Sequence, residues 1–265
     1  MITKSDIDHG KAFDWGRTSE NYAKYRDVYP DAFYEKIIEM GLCVKGQRVL
    51  DLGTGTGVLP RNLYKYGAEF IGADISENQL AQARRLTAEA GMEIEYVVGS
   101  AEEIAFPGNS FDVVTACQCF QYFDEAVALP NIHRMLKDGG HFCILFMAAL
   151  PEESEIVQRS EELVLKHNPA WTGGGIKRYS IPGTPEWAKA LYEATDIATY
   201  AIDVPFTRES WHGRMMTCRG ISASSVPAAD TAAFEKEHSE YMESVPDVFE
   251  IPHFVTMLNL RKKEA

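Results

Sequence analysis

Short apolar segments alternate with amphipathic segments between residues 31 and 150. Apolar runs of strand length cover residues 48–52, 69–73, 94–98, 111–117 and 141–147. Patterns of helical period predict helices over residues 32–40, 59–66, 77–90 and 126–136. Strands joined by helices of about ten residues favour βαβ crossovers and a parallel sheet. Nearly continuous apolar strands are typical of a sheet that is covered on both faces.

The pattern changes after residue 150. It predicts helices over residues 153–166, 185–194, 210–219 and 231–242, and strands over residues 198–204 and 253–261. We interpret residues 31–150 as a cofactor-binding core, 151–185 as a helical cap insertion, and 186–265 as the segment that completes the sheet and forms a substrate wall. Residues 1–30 are rich in aromatic and charged side chains, which predicts a folded N-terminal arm, because disordered segments contain few aromatics. All 265 residues are expected to form one domain.

The charge balance limits the classes of partner. Asp plus Glu number 39 and Lys plus Arg number 26, which gives a formal net charge of −13. This balance disfavours long-range attraction to nucleic acids and to anionic membranes. No apolar run approaches the roughly 20 residues that cross a bilayer, and the polar N-terminus lacks the apolar centre of a secretory signal. Five cysteines argue against a disulfide framework. We therefore expect a cytoplasmic protein without nucleic-acid or membrane partners.

Three glycines lie between the first predicted strand and the helix that follows it. Gly53, Gly55 and Gly57 let the backbone approach a ligand closely, and the helix N-terminus offers free N–H groups. Dinucleotide loops have the spacing Gly-x-Gly-x-x-Gly, which would place the third glycine at Val58 or Pro60. The phosphate loop Gly-x-x-x-x-Gly-Lys-Ser/Thr is absent as well. The loop therefore indicates a nucleoside-containing cofactor that is not a dinucleotide.

The segment Asp51-x-Gly53-x-Gly55-x-Gly57 resembles the cofactor loop of class I S-adenosylmethionine-dependent methyltransferases of the small-molecule type. Further matching features follow in the family's order, namely Asp74 after the second strand, residues 99–102 after the third, 111–114 at the start of the fourth, and 134–140 before the fifth. The resemblance covers about residues 22–147 and the C-terminal third in outline. It implies an α/β, Rossmann-like, seven-stranded and mostly parallel sheet with helices on both faces and an antiparallel last strand. An N-terminal helical arm and a helical cap would be added to this sheet.

The resemblance also implies S-adenosyl-L-methionine as the cofactor and assigns residues to it. The carboxylate of Asp74 is expected to accept both ribose hydroxyls, although an N-cap role near Ser76 is an alternative. Asp51 is expected in the cofactor site rather than only in a turn, whereas Glu102 fits both the site and the cap of the next helical turn. The predicted cofactor-binding residues are Tyr22, Tyr25, Asp51, Gly53, Thr54, Gly55, Thr56, Gly57, Asp74, Ile75, Gln79, Ser100, Ala101, Glu102, Cys117 and Gln118.

Residues 115–123 follow the fourth strand, and ligands of open α/β sheets bind beyond the carboxyl ends of strands. We therefore expect Cys117 and Gln118 near the methionine moiety, and Gln121 or Tyr122 near the acceptor. The Cys-x-Cys spacing at residues 117–119 lacks the second cysteine pair that would complete a zinc site, so no metal is predicted.

The N-terminal arm and the predicted cap supply further candidates. Tyr22, Tyr25 and Tyr29 are spaced by three and four residues, which predicts one helical face. This face fits a stripe that packs on the domain, and it also fits a lid over the cofactor, as similar methyltransferases have. Trp15 and Arg17 are candidates for the acceptor pocket.

Four arginines in the C-terminal half are either solvated or bind an anionic acceptor through bidentate contacts. They are Arg178, Arg208, Arg214 and Arg219, of which Arg214 is assigned to the substrate. No motif identifies a general base. Among the seven histidines, His212 is the candidate, because it lies in the polar segment 209–214 beyond the sixth strand.

These patterns favour an enzyme that transfers a methyl group to a small-molecule acceptor by in-line displacement. No general base is obvious in the sequence of this enzyme. The sulfonium donor is already activated, so positioning carries much of the barrier. The alternative is a non-catalytic protein that binds S-adenosylmethionine or S-adenosylhomocysteine. A nucleic-acid methyltransferase is disfavoured, because residues 116–119 read Ala-Cys-Gln-Cys and not Asn/Asp-Pro-Pro-aromatic. Both a monomer and a homodimer are compatible with the sequence.

Overall fold

A computed structural model describes residues 1–264 of the chain. The strands are β1 (Arg48–Leu52), β2 (Glu69–Asp74), β3 (Glu95–Val98), β4 (Phe111–Cys117), β5 (Leu136–Ala149), β6 (Tyr192–Thr207) and β7 (Val248–Lys262). The α-helices are α1 (Ser19–Tyr25), α2 (Asp31–Glu39), α3 (Val58–Leu63), α4 (Glu77–Glu89), α5 (Glu125–Met135), α6 (Glu155–His167), α7 (Arg208–Met216) and α8 (Ala228–Glu243).

The seven strands form one sheet in the order β3-β2-β1-β4-β5-β7-β6. The pairs β1–β2, β1–β4, β2–β3 and β4–β5 are parallel, and the last strand is antiparallel. Leu52 at the end of β1 is level with Ala73 on β2 and with Ala116 on β4. The carboxyl ends of these strands therefore meet at one edge, and the predicted Rossmann-like sheet is confirmed.

The contacts divide the chain into two compact units. The sheet unit consists of residues 29–147, 179–200 and 255–264, and the helical unit consists of residues 1–28, 148–178 and 201–254. The predicted cap, residues 151–185, thus contributes its first part to the helical unit and its last part to the sheet unit.

The core of the sheet unit forms where apolar strands meet apolar helix faces. Val114 and Phe142 on neighbouring strands are fully buried, as is Ile132 on α5. The chain positions these elements with local signals. The Ser76 side chain accepts a hydrogen bond from the N–H of Gln79 at the start of α4, so Ser76 is the N-cap of this helix. Gly67, with φ of +84°, ends the turn after α3 in a left-handed conformation that favours glycine.

The helix predicted over residues 185–194 is wrong. Only one 3-10 turn forms there, at Glu186–Ala188, and β6 already begins at Tyr192. Tyr192 is fully buried, and its hydroxyl donates to the carbonyl oxygen of Leu129. This tertiary contact outweighs the local helical preference on which the prediction depended. Strands β6 and β7 also begin earlier than predicted, at residues 192 and 248.

The single helical face predicted for Tyr22, Tyr25 and Tyr29 is wrong as well. Helix α1 ends at Tyr25, and Tyr29 belongs to the sheet unit. Pro30 follows Tyr29 directly and disfavours the helical conformation of the residue before it, so the third tyrosine lies outside the helix.

A buried polar network joins three helices within the helical unit. The Ser160 hydroxyl on α6 donates to the carbonyl oxygen of Ile156 and accepts from Nε1 of Trp211 on α7 at 2.9 Å. Nε2 of His238 on α8 lies 2.9 Å from the same hydroxyl, and Nδ1 of His238 lies 2.9 Å from Nδ1 of His212. Burial lowers the pKa of His238 to about 3. Both imidazoles are therefore neutral, and the network satisfies polar groups that the apolar core would otherwise leave unpaired.

Across residues 1–264, no helix has both the length and the apolar character that a membrane span requires.

We expect Ser160→Ala to lower the free energy of unfolding by about 2–4 kcal/mol, because it leaves two buried N–H donors, on Trp211 and His238, without an acceptor. Ser154→Ala is the matched control on the same helix. The Ser154 side chain caps the first turn of α6, and losing a cap costs about 1 kcal/mol. Chemical denaturation measures both values. Equal losses in the two variants would contradict a stabilising role for the network.

Candidate cofactor site

The glycine loop leaves β1 at the carboxyl edge of the sheet. Gly53, Gly55 and Gly57 have φ values of +64°, +57° and +73°, which favour glycine over residues with a side chain. The N–H of Thr54 donates to the carbonyl oxygen of Ala73 at 2.9 Å, so the loop is tied to β2. A Cβ atom on Gly53 would lie 2.7 Å from Sγ of Cys119. The first glycine is therefore required by close packing as well as by backbone conformation.

Asp74 ends β2 directly beside this loop. One carboxylate oxygen accepts the N–H of Gly55 at 2.9 Å, and the other accepts the N–H of Ser76 at 2.8 Å. Burial raises the pKa of Asp74, and the N–H groups of Ser76 and Gly55 oppose this shift. Ser76 supplies the cap of α4, so Asp74 does not serve as that cap. The N–H groups of Gly55 and Ser76 fix the orientation of the Asp74 carboxylate from two sides. The neighbouring Ile75 is 44% exposed at the same edge.

Asp51 lies inside the sheet at the base of the loop and is 1% exposed. The hydroxyl of Thr115, which is level with Asp51 on β4, donates to its Oδ1 at 2.6 Å. Burial raises the pKa of Asp51 to about 6, and the hydrogen bond from Thr115 opposes the shift. The sequence analysis did not identify Thr115, although a hydroxyl within the apolar run 111–117 was a visible signal.

The segment after β3 is engaged mainly with its own backbone. The Ser100 hydroxyl accepts the N–H of Glu103 at 3.2 Å, and Ala101 is buried. Oε1 of Glu102 accepts the N–H of Asp124 at 2.8 Å. Asp124 is the N-cap residue of α5, so Glu102 is bonded to a distant segment and does not cap the helical turn that follows it. Ser100 and Ala101 remain at the end of β3, beside β2.

The segment after β4 turns sharply at Gln118, whose φ of +64° is unusual for a residue with a side chain. Its N–H donates to the carbonyl oxygen of Leu145 at 2.9 Å, and its side-chain amide donates to that of Met147. Burial raises the pKa of the Cys117 and Cys119 thiols. These thiols are therefore protonated. In the described part of the chain, no three His, Cys, Asp or Glu side chains are grouped to hold a metal ion.

The other candidates of the sheet unit flank these residues. Gln121 is exposed, and its amide donates to the carbonyl oxygen of Gln118, while Tyr122 is half-buried in the same turn. Thr56 and Gln79 are buried at 0% and 2% exposure. Their side chains therefore lie within the packing of the loop and of α4.

The N-terminal candidates lie in the helical unit. The ring of Trp15 packs edge-on against Tyr22 at 5.7 Å, and the Arg26 guanidinium covers the Tyr22 ring. The Tyr25 hydroxyl is engaged by Glu209 at 3.0 Å. Arg17 donates to the carbonyl oxygen of Ser224 at 2.5 Å. Each of these side chains has a structural partner within the unit, and none of these contacts tests the predicted binding roles.

Three of the four predicted anion-binding arginines pair with carboxylates of the helical unit. Arg178 pairs with Glu153, Arg208 with Asp247, and Arg219 with the buried Asp8. Arg214 lies on α7, and these pairs do not test its predicted role in substrate binding. His212, the candidate base, is engaged by His238, and burial lowers its pKa.

The geometry thus gathers the glycine loop, Asp51 and Asp74 at one edge of the sheet. Asp74 and the loop backbone suit a ligand with paired hydroxyls, and two carboxylates favour a ligand that carries positive charge. This donor and acceptor set fits a nucleoside with a cationic group.

Comparison with known proteins agrees with this site. A family described as Methyltransferase domain matches residues 50–144, which include the loop and the ends of β2, β3 and β4. A ubiquinone biosynthesis O-methyltransferase of Ruegeria sp. (strain TM1040) is 31% identical over 149 residues, or 56% of this chain and 59% of that enzyme. The chain therefore spans about three-fifths of the length of this curated relative.

Two solved structures share the fold. The YcgJ protein of Bacillus subtilis aligns with 89% of this chain and 100% of its own, at a TM-score of 0.53 and 22% identity. A phosphoethanolamine N-methyltransferase 2 of Haemonchus contortus, in complex with phosphomonomethylethanolamine and S-adenosylhomocysteine, covers 93% of this chain and 58% of its own, at a TM-score of 0.54 and 19% identity. Residues 50–144 therefore carry a methyltransferase domain, and the loop, the edge carboxylates and the shared fold support a class I S-adenosylmethionine-dependent methyltransferase.

Proposed function

We propose that the protein transfers a methyl group from S-adenosylmethionine to a small-molecule acceptor by in-line displacement. The observation that carries the proposal is Asp74, whose two carboxylate oxygens are oriented by the N–H groups of Gly55 and Ser76 beside the glycine loop. A carboxylate fixed in this way retains lone pairs for two vicinal hydroxyls. When bound, S-adenosylmethionine supplies a methyl group that is already activated on a sulfonium.

In this proposal the residues of the sheet unit bind and orient the cofactor. The glycine loop and Asp74 hold the nucleoside, and the exposed Ile75 offers an apolar surface to the adenine. Asp51 supplies a negative charge near the sulfonium and the amino group. Cys117 and Gln118 line the methionine moiety, as predicted from their position after β4.

Support for a small-molecule acceptor comes from the relatives and from the charge. The related proteins are an O-methyltransferase of ubiquinone biosynthesis and a phosphoethanolamine N-methyltransferase. A net charge of −13 disfavours nucleic acid as the substrate. The pairing of Arg178, Arg208 and Arg219 with carboxylates weakens the case for an anionic acceptor. We also propose, as the sequence predicts, that the protein is cytoplasmic.

Asp74→Ala should weaken binding of S-adenosylmethionine about 10- to 100-fold, since it removes the acceptor of two hydroxyl hydrogen bonds. Calorimetric titration measures the dissociation constant. Glu95→Ala is the control, because Glu95 is an exposed carboxylate at the amino end of β3 on the same sheet, and its loss should leave the constant unchanged.

Two outcomes, one of this titration and one of a turnover assay with acceptors, would count against the proposal. Binding of NAD in preference to S-adenosylmethionine would show that the glycine loop is a dinucleotide-binding loop. Tight binding of the cofactor without release of S-adenosylhomocysteine across a broad acceptor panel would favour the non-catalytic alternative.

Affinity for S-adenosylmethionine should fall as the pH drops below about 6, the pKa of Asp51 in the ligand-free protein. The sign follows from the charges: a cationic ligand favours the ionised carboxylate, so below this pKa binding must also remove a proton. The limiting slope is about tenfold per pH unit for one such group. Asp74, whose pKa is also raised, adds to the fall in the same direction.

Asp51→Asn separates the two carboxylates, because it keeps an oxygen for the Thr115 hydroxyl and removes the titration. Its affinity should be lower at pH 8 and depend less on pH than that of the wild type. Parallel pH profiles of the two proteins would show that Asp51 does not titrate with cofactor binding.

A further inference from the structure

Tyr96 on β3 is a buried side chain of the sheet unit to which the sequence assigns no role. Its hydroxyl lies 2.9 Å from Oγ1 of Thr87 on α4, and either oxygen can be the donor. Burial raises the pKa of Tyr96, so the phenol keeps its proton. The hydrogen bond to α4 thus holds the ring from one side.

The same ring packs against two glycines at the cofactor edge of the sheet unit. A Cβ atom on Gly57 would overlap the hydroxyl oxygen of Tyr96 and would lie 3.0 Å from its Cζ. A Cβ atom on Gly72 of β2 would lie 2.8 Å from Cδ1 of the ring and 2.9 Å from Cγ2 of Thr54. These separations are shorter than van der Waals contact between carbon atoms. The ring therefore occupies the space that a side chain at either glycine would need.

Gly57 is the residue at which the glycine loop ends and α3 begins. It precedes α3 with a φ of +73°. Its N–H donates to the carbonyl oxygen of Thr54 at 2.9 Å, and its own carbonyl oxygen accepts the N–H of Arg61 at 3.0 Å. Gly57 thus closes the turn of the loop and opens the first turn of the helix. Its position therefore decides where the loop backbone lies relative to a bound cofactor.

We propose that Tyr96 is a positioning residue of the cofactor loop, whose phenol oxygen packs against Gly57 and keeps the loop in the conformation that binds S-adenosylmethionine. This inference rests on the proposed cofactor role of the loop. A loop that is ordered before the ligand arrives loses less freedom on binding, so the affinity is higher. In dinucleotide loops the third glycine permits close packing of helix on strand. Here the third glycine makes room for a phenol.

Two substitutions separate this role from a structural one. Tyr96→Phe removes the oxygen that packs against Gly57, and Thr87→Val breaks the same hydrogen bond but leaves that oxygen in place. We expect Tyr96→Phe to weaken binding of S-adenosylmethionine about three- to tenfold and to speed amide hydrogen exchange at Gly57. Thr87→Val should change the affinity by about twofold at most. If Tyr96 serves only the hydrogen bond to α4, both variants lose affinity equally.

Gly57→Ala tests the contact directly, because its added Cβ needs the space of the phenol oxygen. In the wild type it should weaken binding about tenfold or more, since the left-handed φ adds to the overlap. In Tyr96→Phe the same substitution should cost at least about threefold less, whereas in Thr87→Val it should cost as much as in the wild type. Gly91→Ala is the control, because Gly91 has a φ of +64° but no atom within 4 Å of its Cβ. Its effect on the unfolding midpoint should be the same with and without Tyr96→Phe.

Calorimetric titration and hydrogen exchange of the full chain supply the measurements. Three results would each overturn the inference: equal losses of affinity in Tyr96→Phe and Thr87→Val, unchanged exchange at Gly57 in Tyr96→Phe, or an equal cost of Gly57→Ala with and without Tyr96→Phe. The first two comparisons decide the question if Gly57→Ala fails to fold. If the wild type does not bind S-adenosylmethionine, the proposed function fails, whereas exchange at Gly57 still reports whether Tyr96 holds the loop.

Discussion

The burial of a carboxylate at the end of β1 is the constraint on which the cofactor edge depends. Asp51 meets the Thr115 hydroxyl only because β1 and β4 run parallel with these two residues level. The hydrogen bond does not fully offset burial, since the pKa of Asp51 is raised to about 6. Above that pH the ionised group therefore destabilises the ligand-free fold. An apolar residue would be more stable there, and a cationic ligand gives a physical reason to keep the charge.

Two buried histidines of the helical unit, His238 and His253, differ in whether the packing of the protein explains them. His238 bonds to His212 and Ser160, so its presence is explained by the packing of α6, α7 and α8. Nε2 of His253 has no such explanation within the described residues. Folding stability is improved by pairing a buried polar atom or by removing it.

The sequence predicts those features that depend on local pattern. The glycine spacing, the apolar strands β1 to β4 and the Ser76 cap each follow from residues that are adjacent or one helical turn apart. The features that it misses depend on distant partners. The helix predicted over residues 185–194 was wrong because the burial of Tyr192 decides the local structure. Thr115 becomes visible as a site residue only when β4 lies beside β1.

Charge gives a case in which a local signal in the sequence finds partners within the fold. Arginines in the C-terminal half suggested an anionic acceptor, yet Arg178, Arg208 and Arg219 pair with Glu153, Asp247 and Asp8. In a chain with 39 acidic and 26 basic residues, most arginines find a carboxylate within the protein. Counting arginines therefore says little about the ligand of this protein.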